Sequence, residues 1–96
     1  MSYQVLLGSR AAKQLRRLDK RAQERLKEAL EQLKEEPQKR SFILSGDLPH
    51  LRYIKVSHGG IQYGVVFKLD SQRGEIGVLF LGTRQNFYRE LKRYLR

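Results

Sequence analysis

Residues 51–83 read LRYIKVS, HGG, IQYGVVFKL, DSQRG, EIGVLFLGT: three strand-like runs divided by two turns. Leu51 to Ser57 alternates apolar and polar residues, the period of a strand with one buried face. His58-Gly59-Gly60 is a tight connection, and Ile61 to Leu69 is a β-branched and aromatic run. Asp70-Ser71-Gln72-Arg73-Gly74 is turn chemistry again, and Glu75 to Thr83 is a third run. Strands joined by turns this short pair antiparallel, so the stretch predicts a three-strand meander. The alternation also sorts side chains by face. Arg52, Ile54 and Val56 point one way and Tyr53, Lys55 and Ser57 the other. With Ile54 and Val56 turned to a core, Tyr53 and Lys55 project from the open face. Tyr63, Val65 and Phe67 share a parity and read as core.

Upstream the period changes. Tyr3 to Leu7 reads as a short strand ended by Gly8. Ser9 can cap a helix over Arg10 to Leu18, where Ala11, Ala12, Leu15 and Leu18 recur at helical spacing. Asp19 can cap a second helix that Pro37 ends just past Glu36. Ala22, Leu26, Leu30 and Leu33 form its apolar stripe, and Lys20–Glu24 and Lys27–Glu31 pair along its outside. Ser45-Gly46-Asp47 and Leu48-Pro49 read as turns. Downstream, Asn86 to Leu95 reads as a basic helix. The expected order is β-α-α-β-β-β-α, one α+β domain over residues 1–96 with the helical hairpin on one sheet face.

The chain has 20 Lys and Arg against 10 Asp and Glu, a net charge of +10 that draws polyanions. The excess is uneven. Lys20 to Glu36 holds five bases and five acids, whereas Arg84 to Arg96 holds five bases against Glu90 alone. The first is a solvated helix surface; the second is a binding edge. No cysteine is present, so disulfides and thiolate metal sites are excluded. Asp47, Asp70, Glu75 and Glu90 are scattered without metal-ligand spacing, so neither a metal nor another cofactor is expected. The N-terminus lacks a signal-peptide pattern, and no apolar run approaches the roughly 18 residues of a membrane span. A soluble, cytoplasmic protein without a membrane partner is expected.

Cutting RNA without a metal needs a base for the 2′-hydroxyl, cations for the charge developing on phosphate, and an acid for the leaving oxygen. His50 and His58 flank the second strand in turn segments, where two loop histidines are the simpler reading. A lysine can serve as base where neighbouring cations or burial disfavour its charged form. Lys55, beside Arg52 and with Arg84 at the end of the third run, is the candidate. Tyr53 and Tyr88 offer rings for stacking unpaired bases, and Arg89, Lys92 and Arg93 offer phosphate contacts.

Four segments, taken in order, resemble the RelE/ParE toxin superfamily of toxin–antitoxin modules, with the RelE-like branch nearest. They are Tyr3-Gln4-Val5 with Ser9 to Leu15, Leu44-Ser45-Gly46-Asp47-Leu48, Leu51 to Val56, and Leu81-Gly82-Thr83-Arg84-Gln85-Asn86-Phe87-Tyr88. The resemblance spans nearly the whole chain and implies a type II toxin that cleaves mRNA on the ribosome without a metal, by 2′-hydroxyl attack on the adjacent phosphate. It implies an acidic antitoxin as partner, bound as a helix or an added strand. It places Lys55, Arg84 and Tyr88 in the catalytic set; the charge and ring pattern of the residues themselves adds Arg52, Tyr53, Arg89, Lys92 and Arg93 as expected RNA contacts.

One position departs from that pattern. Such toxins carry an arginine in the next strand where this chain has Gly64, within Tyr63-Gly64-Val65-Val66-Phe67. A glycine supplies no charge, so the implied activity is attenuated; its other reading is a bulge or a close backbone contact. On the first reading, Gly64→Arg should raise cleavage about 10²-fold and leave stability unchanged or better. Two other functions share the fold: a ParE-like toxin that inhibits gyrase, and a non-catalytic RNA-binding module.

Overall fold

The computed structural model of the chain describes residues 2–45 and 48–94, without the side chains of Ser45, Leu48, Pro49, Tyr88 and Tyr94. The meander is present as β3 (Leu48–His58), β4 (Ile61–Asp70) and β5 (Glu75–Thr83), each antiparallel to the next. Gly59 and Gly60 turn the first hairpin at φ +59° and +79°, a left-handed pair that glycine adopts without strain. β1 (Gln4–Leu7) lies parallel to β5, and β2 (Phe42–Ser45) antiparallel to β3. The sheet order is therefore β1-β5-β4-β3-β2.

β2 falls where the sequence suggested only loop and turn. Four residues are too few to show a period, and pairing to β3, with Phe42 opposite Tyr53, stabilises the strand. β3 accordingly opens at Leu48, not Leu51. Arg52 holds the segment leading into β2. Its guanidinium donates to Ser41 Oγ at 2.7 Å, to the Gln38 carbonyl at 3.0 Å and to the Ser41 carbonyl at 3.1 Å.

The helices α1 (Ser9–Arg17) and α2 (Lys20–Leu33) cover one sheet face. Ala11, Leu15, Ala22, Leu26, Leu30 and Leu33 pack there against Ile54, Val56, Tyr63, Val65, Phe67 and the inward residues of β5. Asp19 caps α2 as expected, accepting from Ala22 N–H at 2.8 Å. Gly8, not Ser9, caps α1: its N–H is already bonded to the Val78 carbonyl at 2.9 Å, so the chain turns from sheet to helix there. α2 ends at Leu33, before the Glu36 expected from Pro37.

α3 (Arg84–Tyr94) lies on the opposite face, over β4 and β5. A bulge in β5 prepares its seat. Val66 pairs with Phe80 and Phe67 with Val78, which leaves Leu79 as an extra residue. Phe80 thereby turns to the α3 face beside Val66 and Phe87, while Ile76, Val78 and Leu81 face α1 and α2. Among the described residues no helix is long and apolar enough to cross a membrane.

Candidate functional site

The strand parity read from the sequence holds: Ile54 and Val56 are buried against the helices, and Lys55 is exposed on the other side. Lys55 is paired across the ladder with Gly64. Both line a cleft of about 240 Å³, closed on one side by α3, which contributes Arg84, Phe87 and Leu91. Those three positions, spaced i, i+3 and i+7, share one stripe of the helix. Arg84, the first residue of α3, is exposed, so two cations from β3 and α3 border the same space. Leu44, Tyr53 and Gln62 complete the lining relevant to binding.

Tyr53 is half-buried between two rings, with centroids 5.6 Å from Phe42 and 6.0 Å from Phe87. Phe87 lies a further 6.1 Å from Phe80. Of this row Tyr53 and Phe87 line the cleft and give it an apolar floor beside the two cations, a combination suited to an unpaired base and its phosphate.

Gly64 is not an empty seat. A Cβ there would stand 2.3 Å from Cδ2 of Phe87 and 2.8 Å from its Cε2, inside any real contact distance. The phenyl ring occupies the space over the glycine, and Phe87 is 7% exposed. The close-contact reading of Gly64 is therefore the structural one, and the expectation that Gly64→Arg would leave stability unchanged or better is corrected. The ring lies where an arginine stem would have to pass.

Other sequence-derived residues are dispersed. Arg52 points to the helix side and is committed to Gln38 and Ser41, so it is removed from the cleft. Arg89 and Arg93 lie on the far side of α3, in a groove shared with α1. Lys92 is exposed and borders neither hollow. The Tyr88 side chain lies outside the described residues. Neither His50 nor His58 lines the cleft. Sequence reading missed Gln62, Phe87 and Leu91. Gln62 shares the parity of Gly64, and Phe87 lies one helical turn after Arg84, so spacing could have found both.

No curated protein matches the chain significantly. Among solved structures, the isolated RelE toxin of E. coli is similar at 23% identity, covering 99% of this chain and 100% of that one, with a TM-score of 0.73. The toxin–antitoxin complex RelBE2 of Mycobacterium tuberculosis is similar at 21% identity, 88% and 100% coverage and a TM-score of 0.72. An E. coli RelE mutant in complex with a peptide of the antitoxin RelB is similar at 25% identity, 95% coverage of each chain and a TM-score of 0.70. These likenesses show a RelE-type fold. The family model for the ParE-like toxin of type II bacterial toxin–antitoxin systems matches residues 5–92. With nearly its full length inside that match and its fold that of RelE toxins, the chain belongs to the RelE/ParE family of type II toxins.

Proposed function

We propose that this toxin is a metal-independent endoribonuclease that cleaves mRNA on the ribosome, with Lys55 and Arg84 as its principal cations. The observation that carries the proposal is the shared cleft: Lys55 from β3 and Arg84 from α3 border one space floored by aromatic rings. In the proposed reaction the 2′-oxygen forms a bond to the adjacent phosphorus while the bond from phosphorus to the 5′-oxygen breaks. The products are a 2′,3′-cyclic phosphate and a 5′-hydroxyl. Lys55 accepts the 2′-hydroxyl proton or stabilises the charge on phosphate, and Arg84 binds the non-bridging oxygens. Tyr53 supports the base. Tyr88 is the further candidate for the group that protonates the leaving oxygen. With Gly64 in place of an arginine the third cation is missing, which makes the rate low.

The partner is an acidic antitoxin, in keeping with the net charge of +10 and with the antitoxin complexes of similar structures. Its binding should weaken as salt rises. The ParE-type reading, gyrase inhibition by protein binding, is favoured by one observation, the phenyl ring over Gly64. Translating ribosomes incubated with the purified chain should yield mRNA cut in the decoding site. Lys55→Ala and Arg84→Ala should each lower cleavage about 10²–10³-fold. Inhibition of gyrase supercoiling with no mRNA cleavage would transfer the assignment to the ParE-type reading.

A further inference from the structure

α3 has two working sides. Arg84, Phe87 and Leu91 face the cleft, whereas Asn86, Arg89, Glu90 and Arg93 face α1 across a separate groove of about 320 Å³. Arg17 enters that groove from the last turn of α1, over a floor that includes Leu18 and Leu81. Among the described residues the only carboxylate there, Glu90, is paired with Arg10. Neither α1 nor the rest of α3 carries an acid. Arg17, Arg89 and Arg93 are exposed, and none forms an ion pair among the described residues. Gln14 adds a neutral donor. Its Oε1 accepts from Leu81 N–H at 2.8 Å, which leaves its amide NH₂ as the group available at the groove.

The contrast with α2 gives this its force. On α2 four bases are interleaved with three acids, so the charge there is largely self-neutralising. Between α1 and α3, three guanidinium groups from two elements converge on one hollow without a carboxylate partner of their own. Guanidinium forks suit phosphate oxygens. The first turn of α3, from Arg84, separates the groove from the cleft, so one polynucleotide can run from one into the other across it.

We infer that the groove between α1 and α3 is a second polyanion site that takes the RNA phosphate backbone flanking the nucleotide in the cleft. The inference rests on the RNA-cleavage reading above and adds to it a length requirement. It is tested with fluorescently labelled, 2′-O-methylated oligouridines of about three and about twelve nucleotides, a span comparable to single-strand site sizes. The 2′-methyl group blocks cleavage, so anisotropy reads binding alone. The unmodified chain should bind the longer oligomer more tightly. R17Q/R89Q/R93Q should lose most of that length advantage, about 10-fold or more, and its salt slope should fall by about 2, from three contacts at about 0.7 each. The K20Q/R21Q/K27Q variant, which removes equal charge from α2, should keep the advantage. If the two triple variants behave alike, the groove is ordinary surface charge and the inference falls. If the unmodified chain binds neither oligomer, the RNA reading itself falls and takes the groove with it.

Discussion

Replacing Gly64 by alanine should destabilise this protein, although glycine inside a strand is ordinarily the weaker choice by about 0.5–1 kcal/mol. The added Cβ would lie 2.3 Å from Cδ2 of Phe87, where ordinary contact begins near 3.4 Å, so the ring must retreat by roughly 1 Å. Overpacking of this kind costs about 1–3 kcal/mol, which exceeds the conformational gain. A net loss of about 1–2 kcal/mol corresponds to a fall in Tm of about 4–16 °C for a domain of this size. The retreat has no easy direction, because the ring also packs on Tyr53 and Phe80. Gly64→Arg should cost more, since its stem requires the ring to leave and the burial of a phenyl side chain is worth about 1.5–3 kcal/mol. The assay is a double-mutant cycle by urea and thermal unfolding. In a Phe87→Ala background Gly64→Ala should be neutral or stabilising, giving a coupling of about 1–3 kcal/mol. Cleavage follows the same logic: Gly64→Arg alone should not raise activity, because displacing Phe87 disturbs the helix that carries Arg84, whereas Gly64→Arg with Phe87→Ala should recover about 10²-fold. The reasoning is refuted if Gly64→Ala is as stable as the parent, or if its cost is the same with and without the ring.

Arg52→Ala should destabilise the fold by about 1–3 kcal/mol, by removing the donor shared by Ser41 Oγ and the Gln38 and Ser41 carbonyls, while oligonucleotide affinity changes no more than for any other single-charge loss; urea titration and anisotropy read the two effects. Asp19→Ala should cost about 1 kcal/mol through the lost cap of α2, lowering Tm by about 4–8 °C in a calorimeter. Arg10→Ala should cost more stability than Glu90→Gln, because the first leaves a largely buried carboxylate unpaired; chemical denaturation of the two variants side by side gives the order.

The meander and the faces of β3 were legible because each rests on a local rule. Alternation set Ile54 and Val56 against Tyr53 and Lys55, and the Gly59-Gly60 pair fixed the hairpin. The stripe of α2 was legible for the same reason. What escaped depends on contacts distant in sequence. β2 exists through its pairing with β3, and Phe42 and Ile43 alone carry no period that marks a strand. The bulge at Leu79 shifts the parity of β5 in mid-run, which sends Phe80 to one face and Leu81 to the other. No alternation rule anticipates that. The joining of Lys55 with Arg84 followed from family likeness and parity. The separation of Arg89 and Arg93 from them required the orientation of α3, which the seating of Phe87 on Gly64 sets.

The parallel pairing of β1 with β5 has a kinetic consequence. Gln4 lies against Glu75 and Leu7 against Val78, so β1 waits for β5, far along the chain, before it gains a neighbour. Contacts this distant in sequence are slow to close. The layer beneath α1 and α2 also lacks Ile76, Val78 and Leu81 until then. Arg84 follows directly after β5, so the cleft is completed only after every strand of the sheet has been made. A chain truncated before Glu75 should show no cooperative unfolding transition, and in a chain built in this order the cleft cannot form before β5 and α3 are both present.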